Sequence, residues 1–247
     1  MNLLYLIRDL WQRKNLQEWV NCRFKDHRAV VLDTTEIAQV VLNNGLRFYM
    51  GPDIHSASSV YWRYNLHDIK RDDIVLDLGA NVGGYSLAAS QRTDNHVYAV
   101  EPVLYDWLIA NIVLNDKFSQ IKSIDAAIGS PQGRNIHITW RNMTRHTRVA
   151  ELDKLIDNTD CNVMKMDIEG AEWKIDPECL YGLRMIEGQL HYDSKQHMRS
   201  RPPLVRFLEN NYNVWWQPAH PPKDRPCLPQ YVHAPLSPLF HAIIRDW

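Results

Sequence analysis

Val75-Leu-Asp-Leu-Gly-Ala-Asn-Val-Gly-Gly-Tyr-Ser86 opens on a short apolar run, passes through glycines and continues into Leu87-Ala-Ala-Ser90. That order predicts a buried parallel strand, a tight turn and a helix. Gly79 lets the backbone turn sharply at the strand end. Gly83 and Gly84 would let a ligand approach the helix N-terminus, where free N–H groups favour negative charge. A nucleotide pyrophosphate could use such a loop. The spacing, however, is G-x-x-x-G-G rather than G-x-G-x-x-G, and Asp77 at the strand end would repel phosphates. An acid there suits a cationic ligand.

Working outward, Val97-Tyr-Ala-Val-Glu-Pro102 puts Glu101 at the end of the adjacent strand, where a carboxylate can accept both hydroxyls of a ribose. Asp77 and Glu101 together describe a pocket for a nucleoside with a positively charged tail, and S-adenosylmethionine fits that description. Without a ligand, the same acids would be solvated or cap neighbouring turns. Further strands are expected at His96–Val100, Ile121–Ile124, Asn135–Trp140, Val163–Met166 and Met185–Leu190, with helices over Leu104–Leu114 and from Ala171 onward. Strand and helix alternate, so the expected fold class is α/β, a doubly wound sheet with right-handed crossovers. Asp125 follows the third strand, where this fold would place an adenine amino group. A capped turn is the plain alternative.

The flanks read differently. Leu3, Leu4, Ile7, Leu10 and Trp11, then Leu16, Trp19 and Val20, predict an amphipathic helix over 1–24. It can pack on the body of the protein, form a homodimer contact or lie on a membrane surface. Ala29–Leu32 and Leu46–Tyr49 read as short strands around a small helix containing Ile37, Val40, Val41 and Leu42. Residues 1–69 are thus expected to form an N-terminal helix and small α/β extension, and 70–247 the main domain. Seven prolines between 218 and 238 make a loop of extended or turn structure.

Composition bounds the function. The chain has 247 residues, against roughly 100–200 per domain, which suggests one large domain with additions. With 28 Lys and Arg against 29 Asp and Glu, bulk basicity does not drive nucleic-acid binding, although Arg141, Arg145, His146 and Arg148, and also Arg199, Arg201 and Arg206, form local basic segments. Arg8 and Asp9 interrupt the apolar start, so it fails as a signal peptide, and no run approaches a membrane span. Four scattered cysteines without a CxxC pair argue against structural zinc or a disulfide framework. A reducing cytoplasm is the expected location.

Asp77-Leu-Gly-Ala-Asn-Val-Gly83, Glu101-Pro102, Glu151-Leu-Asp-Lys-Leu155 and Met164-Lys-Met-Asp-Ile-Glu-Gly-Ala-Glu-Trp173 resemble the FkbM family of S-adenosylmethionine-dependent methyltransferases. The resemblance covers roughly 70–192, and D-x-E-G-x-E is its most specific element. It implies a Rossmann-like methyltransferase sheet, mostly parallel with the last strand reversed, and O-methylation of sugars, glycans or polyketide-type products. The donor-binding set is then Asp77, Gly79, Asn81, Gly83, Glu101, Pro102 and Asp125.

Read without the family, Asp167, Glu169 and Glu172 cluster at the carboxyl edge of the sheet. They can hold the sulfonium or amino group of the donor, act as general base, bind a divalent cation or stabilise a helix N-terminus. Glu172 is assigned the structural role. Asp167 is assigned to the active-site floor, with Glu169 beside it, and a metal is not required by this reading. A neutral alcohol is a poor nucleophile, and His191, with Glu187 before it, follows the next apolar strand. An imidazole titrates near neutrality, so His191 is the expected base. The expected acceptor is a small-molecule or glycan hydroxyl. RNA or a protein side chain is the enzymatic alternative, and a non-catalytic donor-binding scaffold the other. Nine Trp and eleven Tyr beside five Phe favour rings with a polar handle, and Trp215-Trp216 beside the proline-rich loop is the expected stacking surface for a sugar.

Overall fold

The computed structural model describes residues 30–31, 39–49, 51, 53–54, 56–130, 133–141, 143–193, 200–217 and 238–245. The helix expected over 1–24 and nearly all of the proline-rich segment lie outside the described residues.

Three short strands, β1 (Val30–Val31), β2 (Gln39–Val41) and β3 (Arg47–Tyr49), form an antiparallel sheet, followed by helix α1 (Ser56–Arg63). The small helix expected around Ile37 to Leu42 is corrected to strand over the described part. β-branched Val40 and Val41 pair with Phe48 and Arg47 across a tight turn, and there the ladder outweighs local helical spacing. The doubly wound part then runs β4 (Val75–Leu78), α2 (Gly84–Ala89), β5 (Val97–Val100), α3 (Tyr105–Leu114) and β6 (Ile121–Ile124). A second small sheet interrupts it: β7 (Ala126–Ile128), β8 (Asn135–Trp140) and β9 (Met143–Ala150), in the order β7-β9-β8. The chain continues through α4 (Leu152–Thr159), β10 (Val163–Met166), β11 (Met185–Gln189), α5 (Pro203–Asn211), β12 (Tyr212–Gln217) and β13 (Leu239–Ile244). In place of a continuous helix from Ala171 there are two 3-10 turns, Ala171–Lys174 and Pro177–Leu180. Pro177 disfavours α geometry at the residue before it, and Ile175 and Asp176 are extended.

Among the described residues the central sheet has seven strands in the order β12-β13-β11-β10-β4-β5-β6. β13 runs antiparallel to both neighbours, while β11, β10, β4, β5 and β6 are mutually parallel. This is the expected doubly wound α/β sheet with its last strand reversed. One face buries Val75, Val97, Ala99 and Val163 with Leu87, Leu108, Ile112 and the N-terminal Val40, Phe48 and Ala57. The other buries Leu76, Leu78, Met164, Met166 and Ile186 with Leu152, Leu204 and Leu208.

The first face also carries a row of polar residues. Asp77, Lys165, Glu187, His241 and Trp215 are consecutive register partners across five strands, and the first four are buried. Each has an answering group. Lys165 Nζ lies 3.1 Å from Asp77 Oδ1. The Tyr85 hydroxyl donates to Glu187 Oε1 at 2.6 Å, and the Asn65 amide donates to Oε2 at 2.7 Å. Sheet, α2 and N-terminal segment are therefore joined by charge as well as by packing.

Candidate active site

The carboxyl ends of β4, β5, β6, β10 and β11 bring together most of the residues singled out from the sequence. Gly79 leaves β4 at φ +74, and a Cβ there would sit 2.0 Å from the Asp167 carbonyl oxygen. Only glycine allows the β4 and β10 turns to lie against one another. Gly83 adopts φ +91 as the residue capping α2. A Cβ on Gly84 would lie 2.8 Å from the Ala57 Cα. The space that the sequence reading kept for a ligand at Gly84 is thus filled by α1.

Asn81, at φ +56, joins three segments. Its amide donates to Glu101 Oε2 at 2.8 Å, its Oδ1 accepts from Ser56 Oγ at 2.9 Å, and its Nδ2 donates to Asp53 Oδ2 at 2.9 Å. Asp53 in turn pairs with Arg141 at 2.9 Å, which brings in the β8–β9 hairpin. Glu101 Oε1 accepts from the amides of Val103 at 2.7 Å and Leu104 at 2.8 Å, on either side of which Pro102 and α3 continue the chain. Burial raises the Glu101 pKa, and its three backbone hydrogen bonds oppose that rise without cancelling it. Asp125 accepts from Arg145 Nη2 at 2.8 Å and Thr147 Oγ1 at 3.1 Å, both on β9.

Asp77 is placed otherwise than the sequence suggested. Its side chain is fully buried, with Ser86 Oγ donating at 2.5 Å and Lys165 beside it. The cation that this acid implied is a residue of the chain itself. Lys165 also donates to the carbonyls of Leu78 at 3.2 Å and Gly79 at 2.7 Å, so it braces the loop from below. Sequence reasoning missed it, although a lone charge inside Val163-Met-Lys-Met166 was a usable signal.

The end of β10 and the segment after β11 meet in a polar cluster. Asp167 Oδ2 accepts from the Tyr64 hydroxyl at 2.8 Å and lies 3.8 Å from Arg63 Nη1. Burial pushes its pKa up, but Arg63, Lys165, His191 and the Tyr64 hydrogen bond outweigh burial and hold it below the usual carboxylate value. His191 Nδ1 lies 3.0 Å from Glu172 Oε1, and facing a carboxylate it is the protonated, donating nitrogen. Its Nε2 lies 3.6 Å from Asp167 Oδ1 and 3.5 Å from Glu169 Oε2. Burial works to lower the His191 pKa, yet the Glu172 hydrogen bond and the charges of Asp167, Glu172 and Glu169 raise it. Glu169 is 60% exposed, and Trp140 Nε1 donates to its Oε1 at 3.3 Å. Glu172 is fully buried and also accepts from the Ile168 amide at 3.0 Å, so it holds the turn and orients the imidazole. Tyr64 and Arg63 had no sequence signal, since their partner is more than a hundred positions away.

Among solved structures, the chain resembles a protein of the NADB-Rossmann superfamily from Streptococcus agalactiae, with 11% identity over 74% of this chain and 66% of that one, at a TM-score of 0.45. It also resembles the tRNA (m1A58) methyltransferase of Aquifex aeolicus, with 14% identity over 80% of this chain and 72% of that one, at a TM-score of 0.45. A third is the precorrin-6y C5,15-methyltransferase of Geobacter metallireducens, with 15% identity over 73% of this chain and 84% of that one, at a TM-score of 0.41. The chain spans just under two thirds of the first of these structures. A scan with protein-family models and a search of curated proteins each give no match.

Trp215 and Trp216 stand on β12, an edge strand, at 51% and 39% exposure. Trp215 stacks towards His241 with ring centroids 5.8 Å apart and Trp216 towards Phe240 at 5.9 Å, so the two rings lie on opposite faces of the sheet. They do not form one platform. Only Trp215 shares the face that carries Asp77, Lys165 and Glu187. No helix among the described residues is long and apolar enough to cross a membrane.

Proposed function

We propose that this protein is an S-adenosylmethionine-dependent methyltransferase that acts on a hydroxyl group. One observation carries the reading: Glu101, held by three backbone N–H groups at the end of β5, stands two strands from the Asp167–Glu169–His191 cluster at the ends of β10 and β11. Two strand spacings amount to about 10 Å. Glu101 keeps about one acceptor site, on Oε2, for a ribose hydroxyl, and Asp125, just past the end of β6, is held by Arg145 and Thr147 and would serve the adenine side. Asp77, being buried, supports the loop rather than touching the donor. Bound there, the donor supplies a methyl group on a sulfonium. The chain's task is to align the acceptor oxygen and ease loss of its proton, and the cluster around His191 is the group of side chains suited to both.

The FkbM resemblance favours a sugar or glycan hydroxyl. A second reading, RNA as acceptor, draws on the β8–β9 hairpin, where Asn135, His137 and Thr139 face Arg148, His146 and Thr144 in register and all six are exposed. That row offers polar and cationic groups to a phosphate backbone, on the face of β9 opposite Arg145 and Thr147, which hold Asp125. Calorimetry with S-adenosylmethionine and with its demethylated product tests the donor. Micromolar binding of either is expected, and its absence in folded protein would refute the reading. Turnover of labelled donor with free sugars, glycans and RNA then separates the acceptors, with a steep loss of activity in added salt expected only for RNA.

A further inference from the structure

The cluster at the ends of β10 and β11 has a feature that proton transfer alone does not call for. Each of its three members uses one polar atom outwards and turns the other inwards. Asp167 Oδ2 is held by the Tyr64 hydroxyl, Glu169 Oε1 by the Trp140 indole and His191 Nδ1 by Glu172. His191 Nε2 lies 3.6 Å from Asp167 Oδ1 and 3.5 Å from Glu169 Oε2, and each of the three residues offers a ligand atom within 4.8 Å of the other two. Atoms bound to a single divalent ion, each about 2.1–2.4 Å from it, cannot be further apart than about 4.8 Å. The set therefore needs only small side-chain movement to close on one ion.

We propose that Asp167, Glu169 and His191 form a binding site for one divalent cation, with Glu172 as the residue that orients His191. The inference deepens the functional reading and rests on it, since it states how the cluster meets an acceptor oxygen. Two carboxylates and one imidazole suit Mn2+ or a similar first-row ion better than Ca2+, which prefers oxygen alone. A ligating histidine characteristically donates its other N–H to a carboxylate, which fixes the tautomer and strengthens the ligand. Glu172 fills that place. Its second oxygen, Oε2, is buried with no hydrogen-bond partner among the described residues. A buried carboxylate oxygen without a donor is costly, and a cation beyond the imidazole that Glu172 contacts would offset part of that cost. Three carboxylates, with Arg63 standing on the far oxygen of Asp167, leave the centre negative when His191 is neutral. His191 is then a ligand rather than the proton acceptor that its sequence position suggests. The acceptor's proton passes to solvent.

Glu169 is exposed, so Glu169→Gln tests the site without disturbing the core. The chain, freed of metal with a chelator, is titrated with Mn2+ alone while the free-ion electron paramagnetic resonance signal is followed. One ion per chain is expected, bound about tenfold or more weakly by Glu169→Gln. Glu172→Gln should weaken binding about 10–100-fold, as loss of an orienting partner does. Absence of Mn2+ binding, or equal binding by wild type and Glu169→Gln, would overturn the site. Calorimetry with the demethylated donor on the same samples keeps the two readings apart. Donor binding without Mn2+ binding removes the cation site alone, whereas Mn2+ binding without donor binding supports the site and removes the methyltransferase reading.

Discussion

Glu101 shows how much one buried carboxylate is asked to do. Three amide donors fix its position, while burial moves its pKa above the ordinary glutamate value. Its protonated form cannot accept a ribose hydroxyl as strongly, because hydrogen bonds to a charged acceptor are worth about 1.5–3 kcal/mol against about 1 for neutral ones. Donor affinity should accordingly fall as the pH is lowered through this raised pKa, at a higher pH than an exposed glutamate would give. Stability should respond in the opposite sense. Between the unfolded and folded pKa values the native state holds more protons, so stability declines as pH rises through that window. Glu101→Gln should weaken donor binding by about tenfold and remove both dependences. Calorimetric titrations and urea melts at stepped pH measure the two, and an unchanged pH profile in Glu101→Gln would show that another group is responsible. Asp77 marks the contrast. It looks like a ligand residue in the sequence, yet its partner is Lys165.

At the scale of elements, legibility followed the strength of local signals. The five parallel strands β4, β5, β6, β10 and β11 are short runs led by apolar residues and bounded by turns, and each was readable. The β9 strand carries five consecutive polar residues, Thr144 to Arg148, and only its exposure alternates, so it resembled a basic surface segment. Helix α5 begins at Pro203 after Pro202, a pair that signals a loop until Pro203 is seen to occupy the first helical turn, where proline fits. In the site, Asp167, Glu169 and His191 were legible because acids and a histidine follow strand ends. Tyr64, Arg63 and Trp140 complete the cluster only through packing of distant elements. The glycine turns can be separated by experiment. Gly182 has φ +89 with nothing near its missing Cβ, whereas Gly79 has φ +74 and the Asp167 carbonyl in the way. Gly182→Ala should cost about 1–2 kcal/mol, the usual penalty of the left-handed region. Gly79→Ala adds a backbone clash between two strand ends and should cost several kcal/mol more. Urea unfolding of both variants checks this, and equal losses would mean that the β4 and β10 turns yield enough to admit a Cβ.

For the whole molecule, the boundary drawn at residue 70 is a change of sequence pattern rather than of core. Val40, Leu42, Leu46, Phe48, Ile54, Ala57, Val60 and Leu66 are buried in the same cluster as Val75, Leu87, Leu108 and Met185. The segment also satisfies groups in the main sheet. Asn65 donates to Glu187, Tyr64 to Asp167 and Ser56 to Asn81, so its loss would expose one sheet face and strip donors from three site elements. Burial of each large apolar side chain is worth about 1.5–3 kcal/mol, while a whole domain has a net stability of only about 5–15 kcal/mol. Four or five of these side chains already match that margin. A fragment of residues 70–247 should therefore fail to reach the native state. It should show little near-ultraviolet circular dichroism, bind a hydrophobic dye and not bind the methyl donor. A cooperative melt and donor affinity like that of the full chain would instead show that the parallel sheet folds without its N-terminal cover.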